Sequence, residues 1–301
     1  MSDRLKIILA FAIVYIVWGS TYLGIRIAVH DLPPGLMAGV RFVVAGLILL
    51  IIARLSGHAG PRTRHDWIAS VIMGVLLVLL GNGLVTWGEQ WVESNQAALL
   101  ITTGAIWTTW LGTYGAKAQS VSSREKVGVG IGLIGAALLL WPRAGLRMDY
   151  VGGQLAILGA PIAWSIGTIY SRTYPAQVSP LVFAGLQMIF GGAMLLVYGV
   201  LAGELPRWQW TFNGIAAMAY LTIFGSCIAY GTYVWLIQHT TPARLGTIAY
   251  VNPVVAVILG WLVLGERLEG TRLIGAAIIL AGVTMITWRA PRRASARSKG
   301  A

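Results

Sequence analysis

The chain is divided into long runs of apolar residues, each about 20 residues in length, and this feature limits the fold more than any other. In lipid every backbone N–H and C=O must be paired within the protein, so a chain crosses a bilayer as helices or as a closed β-barrel. A barrel strand needs only about 10 residues of alternating polarity, whereas these runs are continuously apolar. Only 11% of the residues are charged, against about 25% in soluble domains. The sequence therefore predicts an all-α integral membrane protein.

Glycine and proline residues separate the apolar runs into ten predicted transmembrane helices joined by short loops. Their approximate bounds are 5–28, 34–54, 67–87, 95–115, 125–142, 151–171, 179–202, 212–236, 243–264 and 271–288. The first run continues past the small residues near Ala10, so we interpret it as a retained span and not as a cleaved signal peptide.

Basic residues are distributed unevenly between the two sides that ten spans create. Most of the Lys and Arg residues lie at the amino end, in the second and fourth loops, and in the tail, all on one side. Because Lys and Arg are retained in the cytoplasm, both termini are predicted there, in a bacterial-type inner membrane. The net charge of +12 then reflects topology and contact with anionic lipid. We expect membrane lipids, and no nucleic acid, as partners.

The two halves of the chain share a pattern of residues that indicates an internal duplication. Arg26 lies eight residues after Trp18. Arg172 has the same spacing from Trp164, which lies 146 positions beyond Trp18. The same offset relates Pro34 to Pro180, Gly39 to Gly185, Gly46 to Gly192, Ala97 to Ala243 and Leu99 to Leu245. We predict two repeats, at 1–145 and 146–288, and a disordered basic tail at 289–301.

Each predicted repeat contains five spans, and this odd number inverts the second repeat relative to the first. Inverted repeats are typical of secondary transporters, whose substrate site lies near the bilayer midplane where the repeats meet. The sequence therefore predicts a carrier with a central cavity for a small-molecule substrate, which works by alternating access.

Two motifs resemble a known family. The stretch WGSTYLGIRIAV at 18–29, followed by PPGLMAGVRF at 33–42, resembles the opening of EamA-type members of the drug/metabolite transporter superfamily. Residues 243–282 resemble the close of the second EamA repeat. The resemblance extends over about 5–288 and implies a ten-helix exporter of amino acids, other metabolites or cationic drugs. In length and layout the chain is similar to bacterial aromatic amino-acid and methyl viologen exporters.

Polar and aromatic residues deep in the predicted spans are the candidates for substrate binding. They are Trp18, Tyr22, Arg41, Asn82, Thr86, Trp107, Trp164, Gln187, Tyr230, Tyr250 and Asn252. Each has an alternative role, because such side chains also form hydrogen bonds between helices, worth about 0.6–2 kcal/mol, or pack in the core. Pro253 is the candidate for gating, since a proline within a helix frees a backbone carbonyl.

Arg41 is the most informative of these residues, because it lies seven residues inside the second predicted span. An unpaired charge at the centre of a bilayer costs about 2.5–3.5 kcal/mol on insertion scales. Arg41 therefore either faces a wet cavity, where it holds a substrate carboxylate, or has a structural role at helix-end carbonyls. Arg26 is nearer a span end, where its side chain can extend to the interface.

The sequence disfavours an enzyme. No His, Asp or Glu lies in the middle of a predicted span, so neither a metal motif nor an acid–base pair is present there, and no cofactor is expected. The same absence disfavours proton antiport through a carboxylate and favours facilitated diffusion. We predict a secondary transporter, an exporter or facilitator, of amino acids or related small metabolites, expected as a monomer. Two alternatives stay open: a cationic drug efflux carrier and a lipid-handling membrane protein.

Overall fold

The structure, a computed structural model, describes residues 2–92, 94–140, 150–264 and 270–287, without the side chains of residues 22, 26, 94–96, 260, 261, 263 and 264. The predicted tail at 289–301 lies outside these residues. The described chain is helical and contains no strand, as predicted. The helices are α1 (Asp3–Asp31), α2 (Pro34–Leu55), α3 (Arg64–Gly88), α4 (Ser94–Ile101), α5 (Gly104–Leu111), α6 (Ser123–Leu140), α7 (Val151–Thr173), α8 (Pro180–Leu201), α9 (Phe212–His239), α10 (Pro242–Gly246), α11 (Ile248–Leu264) and α12 (Gly270–Thr287).

Eight helical stretches in the described residues are long and apolar enough to cross a membrane. The fourth predicted span is two shorter helices instead, α4 and α5, which are separated at Thr102 and Thr103. The fifth predicted span corresponds to α6, whose first turn carries Arg124, Glu125 and Lys126. The chain is therefore a helical membrane protein with multiple spans.

Wide helical turns interrupt two of the long helices. Residues Gly74–Asn82 within α3 and Leu221–Tyr230 within α9 form π-helix. A π-helical turn shifts the backbone hydrogen bonds by one residue and occurs frequently at functional sites. Prolines lie inside two further helices, Pro161 in α7 and Pro253 in α11.

Helices α2 and α8 pack side by side in opposite directions, and glycines allow the close approach. A Cβ on Gly39 would lie 2.7 Å from the Leu196 side chain. One on Gly199 would lie 2.8 Å from the Leu36 side chain. Contacts near the start of α2 thus pair with contacts near the end of α8. Small residues commonly bring membrane helices together in this way.

Helices α6 and α12 form a second antiparallel pair through glycines. A Cβ on Gly128 would lie 2.9 Å from the Gly282 carbonyl oxygen, and one on Gly135 would lie 2.9 Å from the Gly275 carbonyl oxygen. The backbones therefore approach within the distance that a larger side chain would occupy. This pair and the α2–α8 pair both join a helix of the first half to one of the second half.

Polar contacts define the two ends of the helix bundle. At the first end, where α1 and α3 finish, Asp31 accepts a hydrogen bond from Thr211, and Glu204 accepts one from the Leu36 N–H at 2.8 Å. At the second end, where α7 and α9 finish, Asp66 accepts a hydrogen bond from the Gln177 N–H at 2.7 Å. Helices α1 and α7 therefore run in opposite directions, as do α3 and α9.

Candidate functional site

A cavity of about 170 Å³ lies between α1, α3, α7 and α9 and the broken helices α4–α5 and α10–α11. Seven residues predicted for substrate binding line it: Trp18, Arg41, Asn82, Thr86, Trp164, Tyr230 and Asn252. They come from helices of both halves of the chain. The cavity is thus central in the bundle and combines aromatic rings with a small number of polar groups, which is the usual composition of a small-molecule site.

The interruptions of the helices shape the cavity wall. The π-helical segment of α3 contributes Gly81 and Asn82 to the lining, and that of α9 contributes Gly225. The Asn82 amide donates a hydrogen bond to the Leu77 carbonyl at 2.8 Å, which satisfies an acceptor within the widened turn. The indole N–H of Trp18 donates to the Gly225 carbonyl at 3.0 Å. The wide turns therefore supply the carbonyls that hold two cavity-lining side chains, Asn82 and Trp18, in place.

Arg41 brings a positive charge into the cavity wall, although its side chain is only 5% exposed. Its Nε donates to the Ser226 hydroxyl at 2.9 Å, and its guanidinium carbon lies 4.6 Å from the centre of the Phe42 ring. Within the described ranges no carboxylate approaches it to salt-bridge distance. Because a guanidinium has five N–H donors, its terminal nitrogens can bind an anionic group in the cavity.

Aromatic side chains form the floor of the cavity, which we define as Trp18, Trp164 and Tyr233. The two indoles meet edge to face with centroids 5.5 Å apart, and the Tyr233 ring lies 5.1 Å from Trp18 and 5.3 Å from Trp164. The Trp164 N–H donates to the Tyr233 hydroxyl at 2.7 Å. The matched tryptophans of the two halves therefore share one aromatic cluster, which closes the cavity toward the second end.

Three other predicted side chains lie away from the cavity. Gln187 is fully buried and accepts a hydrogen bond from the Tyr230 hydroxyl at 2.9 Å. Tyr250 is buried against Gly132 and donates to the Val129 carbonyl at 3.0 Å. Trp107 is half-buried, with its ring 6.1 Å from that of Trp110. These positions fit packing and helix–helix contact.

Pro253 is buried in α11 directly after the cavity-lining Asn252. The side chain of Tyr22 lies outside the described residues.

The structure adds cavity residues that the sequence analysis did not select, among them Thr21, Thr108, Ser165 and Tyr233. Tyr233 lies three residues after Tyr230, and this spacing places both on one helical face. The hydroxyls of Thr108 and Ser165 are 2.7 Å apart and join α5 to α7. Nothing in the local pattern distinguishes these two residues from other hydroxyls in apolar helices.

The cavity does not resemble a metal centre. Within the described ranges, no three His, Cys, Asp or Glu side chains cluster as metal ligands would. The cavity is lined instead by aliphatic and aromatic side chains together with hydroxyls, amides and one guanidinium, which can bind an organic molecule by apolar contact, stacking and hydrogen bonds.

Known proteins resemble this chain over nearly its whole length. An inner membrane transporter of Escherichia coli K12, named YedA and described as uncharacterized, is 37% identical over 275 residues, which cover 91% of this chain and 88% of YedA. An uncharacterized transporter of Bacillus subtilis, YoaV, is 23% identical and covers 96% of this chain and 99% of its own. A WAT1-related chloroplastic protein of Arabidopsis thaliana is 24% identical, covering 90% of this chain and 67% of its own. None of these names states a substrate, so the likeness to aromatic amino-acid and methyl viologen exporters stays a prediction.

A solved structure and a family model give the same picture. A crystal structure of a protein that is 19% identical superposes with a TM-score of 0.78, covering 93% of this chain and 95% of that one, and thus shares the fold. The model of the EamA-like transporter family matches the chain twice, over residues 5–141 and 151–288. The chain is therefore a membrane transporter and belongs to the EamA-like transporter family.

Proposed function

We propose that this transporter moves amino acids or related small metabolites with a carboxylate group across a bacterial inner membrane. It acts as a secondary exporter or facilitator, with alternating access to the central cavity. The observation that carries the proposal is the position of Arg41, a buried guanidinium in the cavity wall whose only hydrogen bond within the described residues is to Ser226.

A substrate carboxylate would compensate the charge of Arg41. A charge deep in the membrane is costly unless it has a partner, and such residues generally mark a substrate or ion pathway. Arginine and a carboxylate can form two parallel hydrogen bonds, which are stronger than bonds between neutral groups. Ser226 holds Nε, so the terminal nitrogens are available to the substrate. The other proposed binding residues are Trp18, Asn82, Thr86, Trp164, Tyr230 and Asn252.

Several features support a carrier built from two inverted five-helix repeats. The family model matches the chain twice, and helices α1 and α7 run in opposite directions, as do α2 and α8. We propose ten spans, in which α4–α5 and α10–α11 are matched broken helices. The excess of Lys and Arg at the second end favours cytoplasmic termini, and the name of YedA favours the inner membrane.

Pro253 is the proposed hinge in α11. A proline in a helix removes the N–H that would bond to the carbonyl four residues earlier, which here is that of Ala249. Ala249 lines the cavity. A carbonyl freed at this place would bind water or substrate, and bending at this point would change the cavity wall.

The test uses the purified full-length protein in liposomes, with labelled amino acids and their decarboxylated amines as a panel. We expect transport of substrates that carry a carboxylate, and loss of at least about 90% of the initial rate in Arg41→Gln, which corresponds to roughly 1.4 kcal/mol or more. Arg207→Gln, at an exposed position, is the control for removal of one positive charge. Equal rates for Arg41→Gln and the parent, or transport of none of the panel, would contradict the proposal.

The alternative of cationic drug efflux rests on the aromatic floor, because aromatic rings attract cations through cation–π contacts. The positive charge of Arg41 opposes it. Quaternary ammonium compounds in the same liposomes separate the two functions: their transport in the absence of carboxylate transport would favour drug efflux. The same assay with and without a pH gradient tests facilitated diffusion against proton coupling.

A further inference from the structure

Below the aromatic floor, α7 and α9 are joined by a row of hydrogen bonds that continues to the second end. The Tyr233 hydroxyl bonds to Thr168 at 2.6 Å in addition to Trp164. One turn further, the Gln238 amide donates to the Ser171 carbonyl at 2.6 Å. Thr168 is fully buried and Ser171 is 2% exposed. These bonds close the space between α7 and α9 on the side of the second end.

Arg172 provides the outermost contact of this row. Its Nη1 donates to the Ile237 carbonyl at 3.0 Å and also to the Thr240 carbonyl. Both acceptors lie where α9 finishes, and the last carbonyls of a helix have no partner within the helix. A cation is also favoured at this negative end of the helix dipole. The guanidinium therefore binds α9 at the place where that helix most needs donors.

The corresponding region of the first half is arranged differently. There α1 contributes Thr21 and Ile25 to the cavity lining, and α3 contributes Val85 and Thr86. Thr86 is two residues from the end of α3, so the cavity extends toward the first end. Among the described side chains, the row of bonds from Tyr233 to Arg172 therefore joins α7 to α9 on the side of the second end.

We propose that Arg172 is the clamp that holds the second end of the cavity closed, and that its bonds to the carbonyls of α9 break before that end opens. The inference rests on the proposed alternating access. In this proposal, the balance between the closed and the open state of the second end is set by Arg172, which lies outside the cavity and contacts no substrate. Removal of the clamp shifts the protein toward the state that is open at the second end.

The experiment measures the accessibility of each end with a membrane-impermeant maleimide. Cys227 is the only cysteine, so a Cys227→Ser background removes it. Single cysteines are then introduced as Ser171→Cys, beside the clamp, and as Thr86→Cys, in the cavity wall toward the first end. Labelling rates are compared with and without Arg172→Gln in the full-length protein. Arg64→Gln, an exposed arginine at the same end, is the charge-matched control.

We expect Arg172→Gln to raise the labelling rate at residue 171 about tenfold and to lower it at residue 86, because loss of charge-assisted bonds worth more than 1.4 kcal/mol moves a two-state equilibrium by that factor. Arg64→Gln should change neither rate. Unchanged rates in Arg172→Gln, or a rise at both residues, would overturn the clamp, since the second pattern indicates general loosening. These readouts need no substrate, so failure of the amino-acid panel would leave the clamp testable.

A second variant covers the case in which Arg172→Gln does not fold. Arg172→Lys keeps the charge but lacks the planar fork that reaches two carbonyls at once. We expect an intermediate labelling rate at residue 171, with a melting temperature within a few degrees of the parent. A rate equal to that of the parent would overturn the proposed geometry of the clamp.

Discussion

The helix pair α7–α9 and the pair α1–α3 occupy matching places in the two halves but differ in their contacts. Tyr233 of α9 bonds to both Trp164 and Thr168 of α7, and the two helices meet. In the first half, Thr21 of α1 and Thr86 of α3 both line the cavity, and each hydroxyl donates to a carbonyl of its own helix. The described contacts of the two pairs thus differ by a few hydrogen bonds, and under the proposed alternating access each pair would pass between a joined and a separated arrangement. An equilibrium between such states is shifted by any ligand or substitution that contacts only one of them.

The carboxyl-terminal ends of α3 and α9 also differ. The end of α9 accepts hydrogen bonds from Arg172. The end of α3 is followed by Glu89, whose Oε1 is buried without a partner among the described residues. Burial raises the pKa of Glu89 to about 7 from its ordinary value of 4.5. A negative charge is unfavourable at the carboxyl-terminal end of a helix. Protonation of Glu89 therefore stabilises the end of α3, whereas the end of α9 is stabilised by the hydrogen bonds from Arg172.

The largest effect should come from Trp164→Ala, which removes a ring from the floor and the donor to Tyr233. Truncation of a packed tryptophan costs about 3–5 kcal/mol, and here much of this cost falls on the α7–α9 contact. We expect a large fall in melting temperature and faster maleimide labelling at Ser171→Cys. Trp110→Ala, at a position that is 51% exposed, is the control and should have little effect. Similar results for the two variants would show that the floor does not join these helices.

The next largest effect is a pH dependence at Glu89. The pKa of its carboxyl is higher in the folded protein than in the unfolded chain, so the folded protein binds the proton more tightly. The contribution of this proton to the free energy of unfolding is complete below about pH 4.5 and is lost as the pH rises through about 7. Raising the pH from 5 to 8 should lower the free energy of unfolding of the parent relative to Glu89→Gln by roughly 2 kcal/mol. Melting temperatures in detergent at both pH values measure this difference. Asp3→Asn, at an exposed carboxyl, is the control, and parallel pH profiles for the parent and Glu89→Gln would contradict the assignment.

The sequence predicted most of the helices because their ends carry local signals. Pro33 and Pro34 mark the start of α2, and Gly57 and Gly203, both with positive φ, follow the ends of α2 and α8. The lining of the cavity was predicted only in part, from polar and aromatic residues deep in the spans. In a helix that is apolar all round, periodicity does not show which face meets a cavity. Tyr250 was therefore selected although its partner, the Val129 carbonyl, lies 121 residues away, and Tyr233 was missed.

A smaller effect is expected for Tyr233→Phe, which keeps the ring and removes one hydroxyl. The N–H of Trp164 and the hydroxyl of Thr168 would lose their shared partner, at a cost of about 1–2 kcal/mol. The cost falls on the state in which α7 and α9 are joined. Labelling at Ser171→Cys should rise by roughly tenfold, and labelling at Thr86→Cys should fall. Tyr114→Phe, at an exposed tyrosine, is the control. An unchanged ratio of the labelling rates at residues 171 and 86 would show that the Tyr233 hydroxyl does not help to close the second end.

The smallest effect is expected at the hydroxyls of Thr108 and Ser165, which join α5 of the first half to α7 of the second half. This contact is not one of those that close either end of the cavity. Thr108→Val or Ser165→Ala alone leaves a buried hydroxyl without its partner and should cost about 1 kcal/mol, whereas the double variant should cost less than the sum of the two. Melting temperatures of the four proteins in the cycle measure the coupling. The labelling rates at residues 86 and 171 should stay in the parent ratio throughout. A change in that ratio would mean that α5 moves with α7 when the second end opens. The broken helix α4–α5 would then take part in opening the second end, together with α7 and α9.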